Sequence, residues 1–167
     1  QIASFDNQVD EPIEGGDDSP DAVAHQELYL AAMERYKPEE FDRRRGWEGK
    51  TYLDAVAFCG RKGADNEDGR EYGVCPYDAI CPLGSDSEPL GGYRDNGGRE
   101  EWTPISDGGG NDWIQLSRFN SCIRYSNEHG DAPEWGLTGD ENSDTVANVL
   151  CCVVSDKDEG EDKDENA

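Results

Sequence analysis

Six cysteines constrain this chain more than any other feature of its sequence. All lie between positions 59 and 152, and they are Cys59, Cys75, Cys81, Cys122, Cys151 and Cys152. An even number of cysteines in one region predicts three disulfides and an oxidising location, either extracellular or lumenal. The neighbours Cys151 and Cys152 are not expected to bond to each other, because a vicinal bridge strains the backbone.

The expected pairing has one local bridge and two long ones. Cys75 and Cys81 are predicted to close a small loop. The last strand would then be tied to Cys59 and to Cys122, since adjacent residues of a strand face opposite sides. Zinc is the alternative use of the cysteines, but the sequence has no C-x2-C pair and its two histidines lie far apart.

The charge of the chain excludes several classes of ligand. Its 39 acidic and 15 basic residues give a formal net charge of −24, which repels nucleic acids and anionic membrane surfaces. No apolar run approaches the length of a membrane span, so we expect no direct insertion into a bilayer. The expected partners are proteins, glycans and cations, although an acidic surface is also typical of proteins that only need to stay soluble.

The acidity is concentrated at the two ends. Residues 1–18 have no basic side chain, and residues 156–167 combine many acidic side chains with two lysines. Both ends have little to bury, which predicts a mobile arm and a mobile tail. Residues 19–45 are predicted to form an amphipathic helix and a charged linker, and residues 46–155 a cysteine-rich domain. The chain begins at Gln1, so we expect a leader to have been removed.

The first helix has a recognisable start and end. Ser19 is a suitable cap and Pro20 a suitable first helical residue. The apolar period that follows predicts about four turns, which Pro38 would end. This helix is expected either to pack on the domain or to dock a partner.

A second helix is indicated by the segment that contains the first cysteine. Thr51 and Asp54 have the spacing of a capping box, with Asp in place of Glu. Gly60 and Gly63 both offer positions at which this helix could end.

The remainder of the domain is rich in Gly, Asp, Asn, Ser and Pro, which is typical of loops and turns. Three short strands are predicted within it, at Asp112–Leu116, Cys122–Tyr125 and Val149–Val154. The fold class that we expect is a small, loop-rich, disulfide-stapled α+β domain with an N-terminal helix and acidic tails. Most of its four tryptophans are expected in the core, and Trp102 and Trp135 are the candidates for stacking on a sugar.

Several short motifs resemble a known family. They are CPYDAICPLG at 75–84, WTPISD at 102–107, NDWIQL at 111–116, PEWGLTG at 133–139 and the closing pair of cysteines. Together they resemble a cysteine-rich domain of unknown function that is widespread in diatom and related stramenopile algal proteins. The resemblance covers residues 46–154 and implies a secreted or membrane-anchored protein, without implying a ligand.

A weaker resemblance is to the C-type lectin-like fold. Residues 51–63 are similar to the early helix of that fold, whose cysteine pairs with one in the last strand. This implies a bridge from Cys59 to Cys151 or Cys152. The Glu-Pro-Asn type triplet that binds sugar in the family is absent, since Leu90 stands where an amide is needed. Its Trp-Asn-Asp element is absent too, so the resemblance implies a fold and no binding residue.

Calcium is the metal that the composition favours, because hard cations bind clustered carboxylate and carbonyl oxygens. Two groups of residues are candidate calcium ligands. They are Asp140, Asn142 and Asp144, and Asp107, Asn111 and Asp112. Neither group has the full spacing of an EF-hand loop.

The sequence gives little indication of catalysis. It has no Gly-x-Ser-x-Gly element and no phosphate-binding loop, and paired cysteines supply no nucleophilic thiol. We therefore expect a secreted or lumenal, non-catalytic binding or structural module of a surface or multi-subunit assembly. One alternative is a calcium-dependent, carbohydrate-binding, lectin-like domain. The other is a secreted hydrolase that uses paired carboxylates.

Overall fold

Short helices and strands are interspersed along the part of the chain that the computed structural model describes, which is residues 19–65, 69–94, 97–107, 110–133, 136 and 145–156. In chain order the elements are α1 (Pro20–Tyr36), β1 (Glu39–Phe41), a 3-10 turn (Arg43–Arg45), α2 (Tyr52–Asp65), β2 (Arg70–Val74), α3 (Tyr77–Ile80), β3 (Trp102–Ile105), β4 (Asp112–Gln115), α4 (Tyr125–His129) and β5 (Val149–Asp156). The predicted α+β class is confirmed. None of the helices in these ranges combines the length and the apolar sequence of a membrane span.

Helix α1 starts and ends where its sequence predicts. The Ser19 hydroxyl accepts the N–H of Ala22 at 3.2 Å, and the helix ends before Pro38. Ala32 is buried and Tyr36 packs against one of the two core clusters. The helix therefore packs on the domain through its C-terminal half, against α3 and β5.

The central sheet is antiparallel, with β5 between β1 and β2. The apolar run of β5 fits this position, because both faces of a central strand are covered. Strand β1 was not expected, since its segment was assigned to a charged linker. That assignment is wrong for residues 39–41, where Phe41 enters the core and Glu39 stays exposed.

The adjacent cysteines of β5 face opposite sides of the sheet, as predicted. The three bridges are Cys59–Cys151, Cys75–Cys152 and Cys81–Cys122. All six cysteines are at most 1% exposed. The first bridge lies in the hydrophobic cluster under α2, and the other two lie in the cluster on the opposite face. Three bridges of this kind indicate an oxidising environment.

The predicted pairing is right for Cys59 and the last strand, and wrong for the other two bridges. The reason is β2, whose polar sequence gives no clear strand signal. Because β2 pairs with β5, it brings Cys75 beside Cys152. Helix α3 then turns the chain away, and Cys81 reaches Cys122 instead of Cys75.

A second, two-stranded sheet is formed by β3 and β4. Strand β4 confirms the strand predicted at Asp112–Leu116. The strand predicted at Cys122–Tyr125 is wrong. Cys122 has a left-handed backbone with φ of 61°, and Arg124 makes only an isolated bridge to Ile114 before α4 begins.

The capping box of α2 is confirmed, and its predicted end is not. Thr51 Oγ1 accepts the N–H of Asp54 at 3.1 Å, and Asp54 Oδ2 accepts the N–H groups of Lys50 at 2.9 Å and Thr51 at 3.2 Å. The Lys50 N–H, followed by the Thr51 bonds, holds the pKa of Asp54 below its ordinary value. The helix continues through both glycines. Gly63 lies against Tyr72 of β2, where a Cβ would stand 3.0 Å from the backbone nitrogen.

Removal of the Asp54 carboxylate is expected to cost stability in a pH-dependent way. Asp54→Asn should lower the free energy of unfolding by about 1 kcal/mol at neutral pH, since it weakens the cap. Folding lowers the pKa of this carboxylate, so its ionised form stabilises the folded state. This stabilisation is complete above the unfolded pKa of about 4 and is lost as the pH falls through the folded pKa. Urea unfolding of both proteins, from neutral pH to the most acid pH at which they fold, measures the difference.

The matched control for this change is Glu48→Gln, which removes one charge from an exposed neighbouring position. It should leave stability nearly unchanged. A gap between wild type and Asp54→Asn that stayed constant down to the acid limit would rule out the capping carboxylate as its cause.

Candidate functional site

The arginine turn, residues 43–45, is held between two buried aromatic residues. Phe41 precedes it and Trp47 follows it, and they are 5% and 1% exposed. Asp42 caps the turn, because its Oδ1 accepts the N–H groups of Arg44 at 2.9 Å and Arg45 at 3.0 Å. The backbone of the turn is therefore fixed by local bonds, while its three arginine side chains are exposed.

A cleft of about 320 Å³ opens beside this turn, and we name it the arginine cleft. Its lining comes from the turn, from the loop after α3, from the residue before β3 and from the segment before β5. The lining residues are Asp42, Arg43, Arg44, Arg94, Glu101, Ala147 and Asn148. Its volume lies at the lower end of the range of about 300–1,000 Å³ that is typical of small-molecule sites.

Arg43 ties the turn to the segment before β5. Its Nη1 donates to the carbonyl oxygens of Trp47 at 3.0 Å and Gly49 at 2.9 Å, and its Nη2 donates to that of Val146 at 3.3 Å. The Trp47 indole N–H also donates to Val146 O, at 3.0 Å. This wall of the cleft is therefore held by two local bonds and by two bonds to Val146, which is distant in sequence.

Arg94 is fixed on the other side by Glu40 of β1. Its Nε and Nη2 donate to the two carboxylate oxygens of Glu40 at 2.9 and 2.6 Å. It also donates to the backbone carbonyls of Leu90 and Gly92. A bidentate pair of this kind sets the plane of the guanidinium and neutralises much of its charge.

Arg44 differs from the two arginines that flank it in the cleft. Its backbone N–H is bound by Asp42. Within the described ranges its guanidinium makes no hydrogen bond or ion pair. Arg44 lines the cleft and therefore offers a full positive charge and five N–H donors to a ligand.

Glu101 lines the cleft and is fully buried. Its Oε1 accepts the backbone N–H groups of Ala147 at 2.8 Å and Asn148 at 3.0 Å, and the side-chain amide of Asn148 at 3.1 Å. Three N–H donors offset the cost of burying a carboxylate. Glu101 thereby fixes the segment that leads into β5, which also lines the cleft.

The segment that contains the arginine turn is more basic than the chain as a whole. The sequence from Arg35 to Lys62 contains eight basic and five acidic residues. Two of these cations cover Phe41, with the guanidinium carbon of Arg45 at 4.7 Å and the ammonium of Lys62 at 5.1 Å from the ring centroid.

Two of the predicted calcium ligands, Asp107 and Asp112, contact the guanidinium of Arg124. The third residue of this group is Asn111. Arg124 Nη2 lies 2.9 Å from Asp107 Oδ2, and its Nη1 lies 3.7 Å from Asp112 Oδ2. Ser126 donates to Asp112 from its hydroxyl at 2.8 Å and its N–H at 3.2 Å. These contacts occupy the oxygens that a cation would need, so the geometry does not favour calcium here.

Asn111 is also engaged internally. Its Oδ1 accepts the indole N–H of Trp113 at 2.9 Å, and its Nδ2 donates to the carbonyl of Pro133 at 3.2 Å. In the part of the chain that is described, no three His, Cys, Asp or Glu side chains are placed to hold a metal ion. The other predicted group, Asp140, Asn142 and Asp144, lies outside the described residues.

Trp102 is not available for stacking on a sugar. It is 1% exposed, and its ring packs edge-on against Tyr125 with the centroids 5.1 Å apart. The stacking prediction is therefore wrong for Trp102, because the residue belongs to the core. Trp135, the second candidate, lies outside the described residues.

Sequence reasoning missed the arginine cleft. The signal that points to it is the run of three arginines directly after Asp42, in a chain that is otherwise strongly acidic. Glu101 gives no comparable signal, since Glu100 beside it is chemically identical in the sequence. Only the folded arrangement separates the buried residue from the exposed one.

Comparisons with known proteins identify a family. A search of curated proteins and a search of solved structures find no match. A family model described as a domain of unknown function, DUF7495, matches residues 39–154. This range begins at β1 and ends within β5, and it contains all three bridges and every residue that lines the arginine cleft. The chain therefore belongs to the DUF7495 family.

Proposed function

We propose that the chain is a non-catalytic binding module of the extracellular space or of an organelle lumen, and that the arginine cleft binds its ligand. The observation that carries this proposal is the contrast among the three arginines of the cleft. Arg43 and Arg94 are fixed by internal acceptors, and Arg44 is left for an external one. A rigid wall with one uncommitted donor group is suited to recognition.

The bridges support the proposed location. All six cysteines are paired and buried, which is the usual state in secreted and lumenal proteins. They also support the binding role, because they lock β5 from both faces, and the segment that leads into β5 forms one wall of the cleft.

The carboxylates of the cleft support binding over catalysis. Asp42 caps the arginine turn through backbone N–H groups, and Glu101 holds the segment before β5 through two backbone N–H groups and the side-chain amide of Asn148. A general acid or base must instead reach a substrate proton. The hydrolase and the calcium-dependent lectin-like domain stay predictions. The Cys59–Cys151 bridge from helix to last strand is the feature that agrees with the lectin-like fold.

Retention on arrays of glycans and peptides tests the proposed function. The oxidised wild type is expected to be retained by at least one class of ligand, and Arg44→Glu is expected to lose that retention, since it reverses the one uncommitted charge of the cleft. Arg61→Glu is the matched control, because it makes the same change on α2, beside a separate pocket. Equal retention of all three proteins, or of none, would contradict a ligand site in the arginine cleft.

A further inference from the structure

We infer that the ligand of the arginine cleft presents a single oxyanion, a carboxylate or a sulfate, to Arg44. This inference rests on the proposed function and adds the chemical class of the ligand. A guanidinium that is free of internal partners can form two parallel N–H···O bonds with a planar carboxylate or with two oxygens of a sulfate. No other side chain that lines the cleft offers such a fork, since Arg43 and Arg94 already donate to internal acceptors.

The remaining lining limits the charge of the ligand. Two acidic side chains, Asp42 and Glu101, also line the cleft. The cleft therefore suits one anionic group with a neutral remainder, and it disfavours a polyanion, which the total charge of −24 would repel. Asn148 supplies a side-chain amide at the same wall, which can bond to a hydroxyl or carbonyl of the neutral part.

An acidic sugar meets these requirements. Such a sugar combines one carboxylate or sulfate with hydroxyl groups. A cleft of about 320 Å³ is suited to a ligand of the size of one sugar unit. Uronic acids and sulfated sugars present the same oxyanion chemistry to a guanidinium. Titration with one sugar of each kind separates the two sources.

Titrations followed by backbone amide shifts test the inference. The probes are glucuronate, glucose 6-sulfate and glucose, added to oxidised, ¹⁵N-labelled protein. We expect saturable shifts at Arg44, Ala147 and Asn148 with at least one of the acidic sugars, and an affinity at least about fivefold above that for glucose. Binding should weaken as salt is added, because the contact is electrostatic and exposed.

Variants at Arg44 test whether its guanidinium binds the oxyanion of the sugar. Arg44→Ala should weaken binding of the acidic sugar by about five- to tenfold, and Arg44→Lys should recover only part of the loss, because an ammonium lacks the bidentate fork. Arg61→Ala is the control for loss of one positive charge outside the cleft, and it should bind like wild type. Amide spectra of each variant show that it is folded.

The outcomes separate this inference from the proposed function. If glucose shifts the same amides as strongly as the acidic sugars do, or if Arg44→Ala binds the acidic sugars as wild type does, recognition of an oxyanion by Arg44 is excluded while a ligand site in the cleft stands. If none of the three sugars shifts these amides, the inference is wrong, and the array experiment then decides whether the cleft binds another class of ligand.

Discussion

Reduced protein is expected to stay unfolded after the denaturant is removed in the presence of a reductant. Each bridge should stabilise the folded state by about 3–4 kcal/mol by restricting the unfolded chain. The three together approach the total of about 5–15 kcal/mol by which a domain is stable. Far-UV circular dichroism measures the recovery, with oxidised protein carried through the same cycle as the control. A native spectrum in reductant would show that the core suffices without the bridges.

Removal of the Cys59–Cys151 bridge alone measures the contribution of one bridge to stability. Cys59→Ala/Cys151→Ala should lower the free energy of unfolding by about 3 kcal/mol. The value is moderate because Cys75–Cys152 remains, and the loop that the first bridge then closes is mainly the short stretch from Cys59 to Cys75. Urea unfolding measures it, and a loss below about 1 kcal/mol would contradict the entropic account.

Loss of the Glu101 carboxylate is expected to have a comparable effect. Glu101→Ala should lower the free energy of unfolding by about 3–5 kcal/mol, because it leaves the N–H groups of Ala147 and Asn148 without their acceptor and opens a cavity beside them. Glu101→Gln keeps an oxygen of similar position without the charge and should cost about 1–2 kcal/mol. Chemical unfolding at neutral pH measures both changes.

The neighbouring glutamate is the control for Glu101. Glu100 is exposed, and its Oε2 accepts the indole N–H of Trp102 at 3.0 Å. Glu100→Ala should cost only about 1 kcal/mol, because it removes a single bond to an exposed carboxylate that water can replace. If the two alanine variants were equally stable, the three bonds to Glu101 would not be what holds the segment before β5.

The features that could be predicted from the sequence are those that depend on a few consecutive residues. The caps at Ser19 and at Thr51 and Asp54 are local patterns of side chain and backbone, and both formed as expected. Strand β5 was predictable because a central strand needs an apolar run. The opposite directions of Cys151 and Cys152 follow from the geometry of any strand.

The features that could not be predicted depend on pairing across the chain. Strand β1 has two glutamates, β2 contains Arg70 and Gly73, and β3 contains Pro104. Glu, Gly and Pro are depleted in strands, so these residues weaken the strand signal of each segment, and each strand exists because a partner strand supplies its hydrogen bonds. The bridge from Cys75 to Cys152 was missed for the same reason, since it follows from the pairing of β2 with β5.

The arginine cleft could not be predicted from the sequence, because four separate segments form it. The run Arg43–Arg45 is visible in the sequence, but the partners that immobilise Arg43 and Arg94 are backbone carbonyls and Glu40, which no pattern indicates. The predicted calcium ligands illustrate the same limit. Asp107 and Asp112 do converge, but they converge on Arg124.

Disulfide mapping of protein made in a secretory pathway tests most directly whether β5 is locked from both faces, on which the cleft depends. Proteolysis leaves Cys151 and Cys152 in one peptide, so the assignment requires fragmentation between them in the mass spectrometer. We expect Cys59–Cys151, Cys75–Cys152 and Cys81–Cys122, with no free thiol. Free thiols in the folded protein, or a bridge between Cys75 and Cys81, would contradict this arrangement.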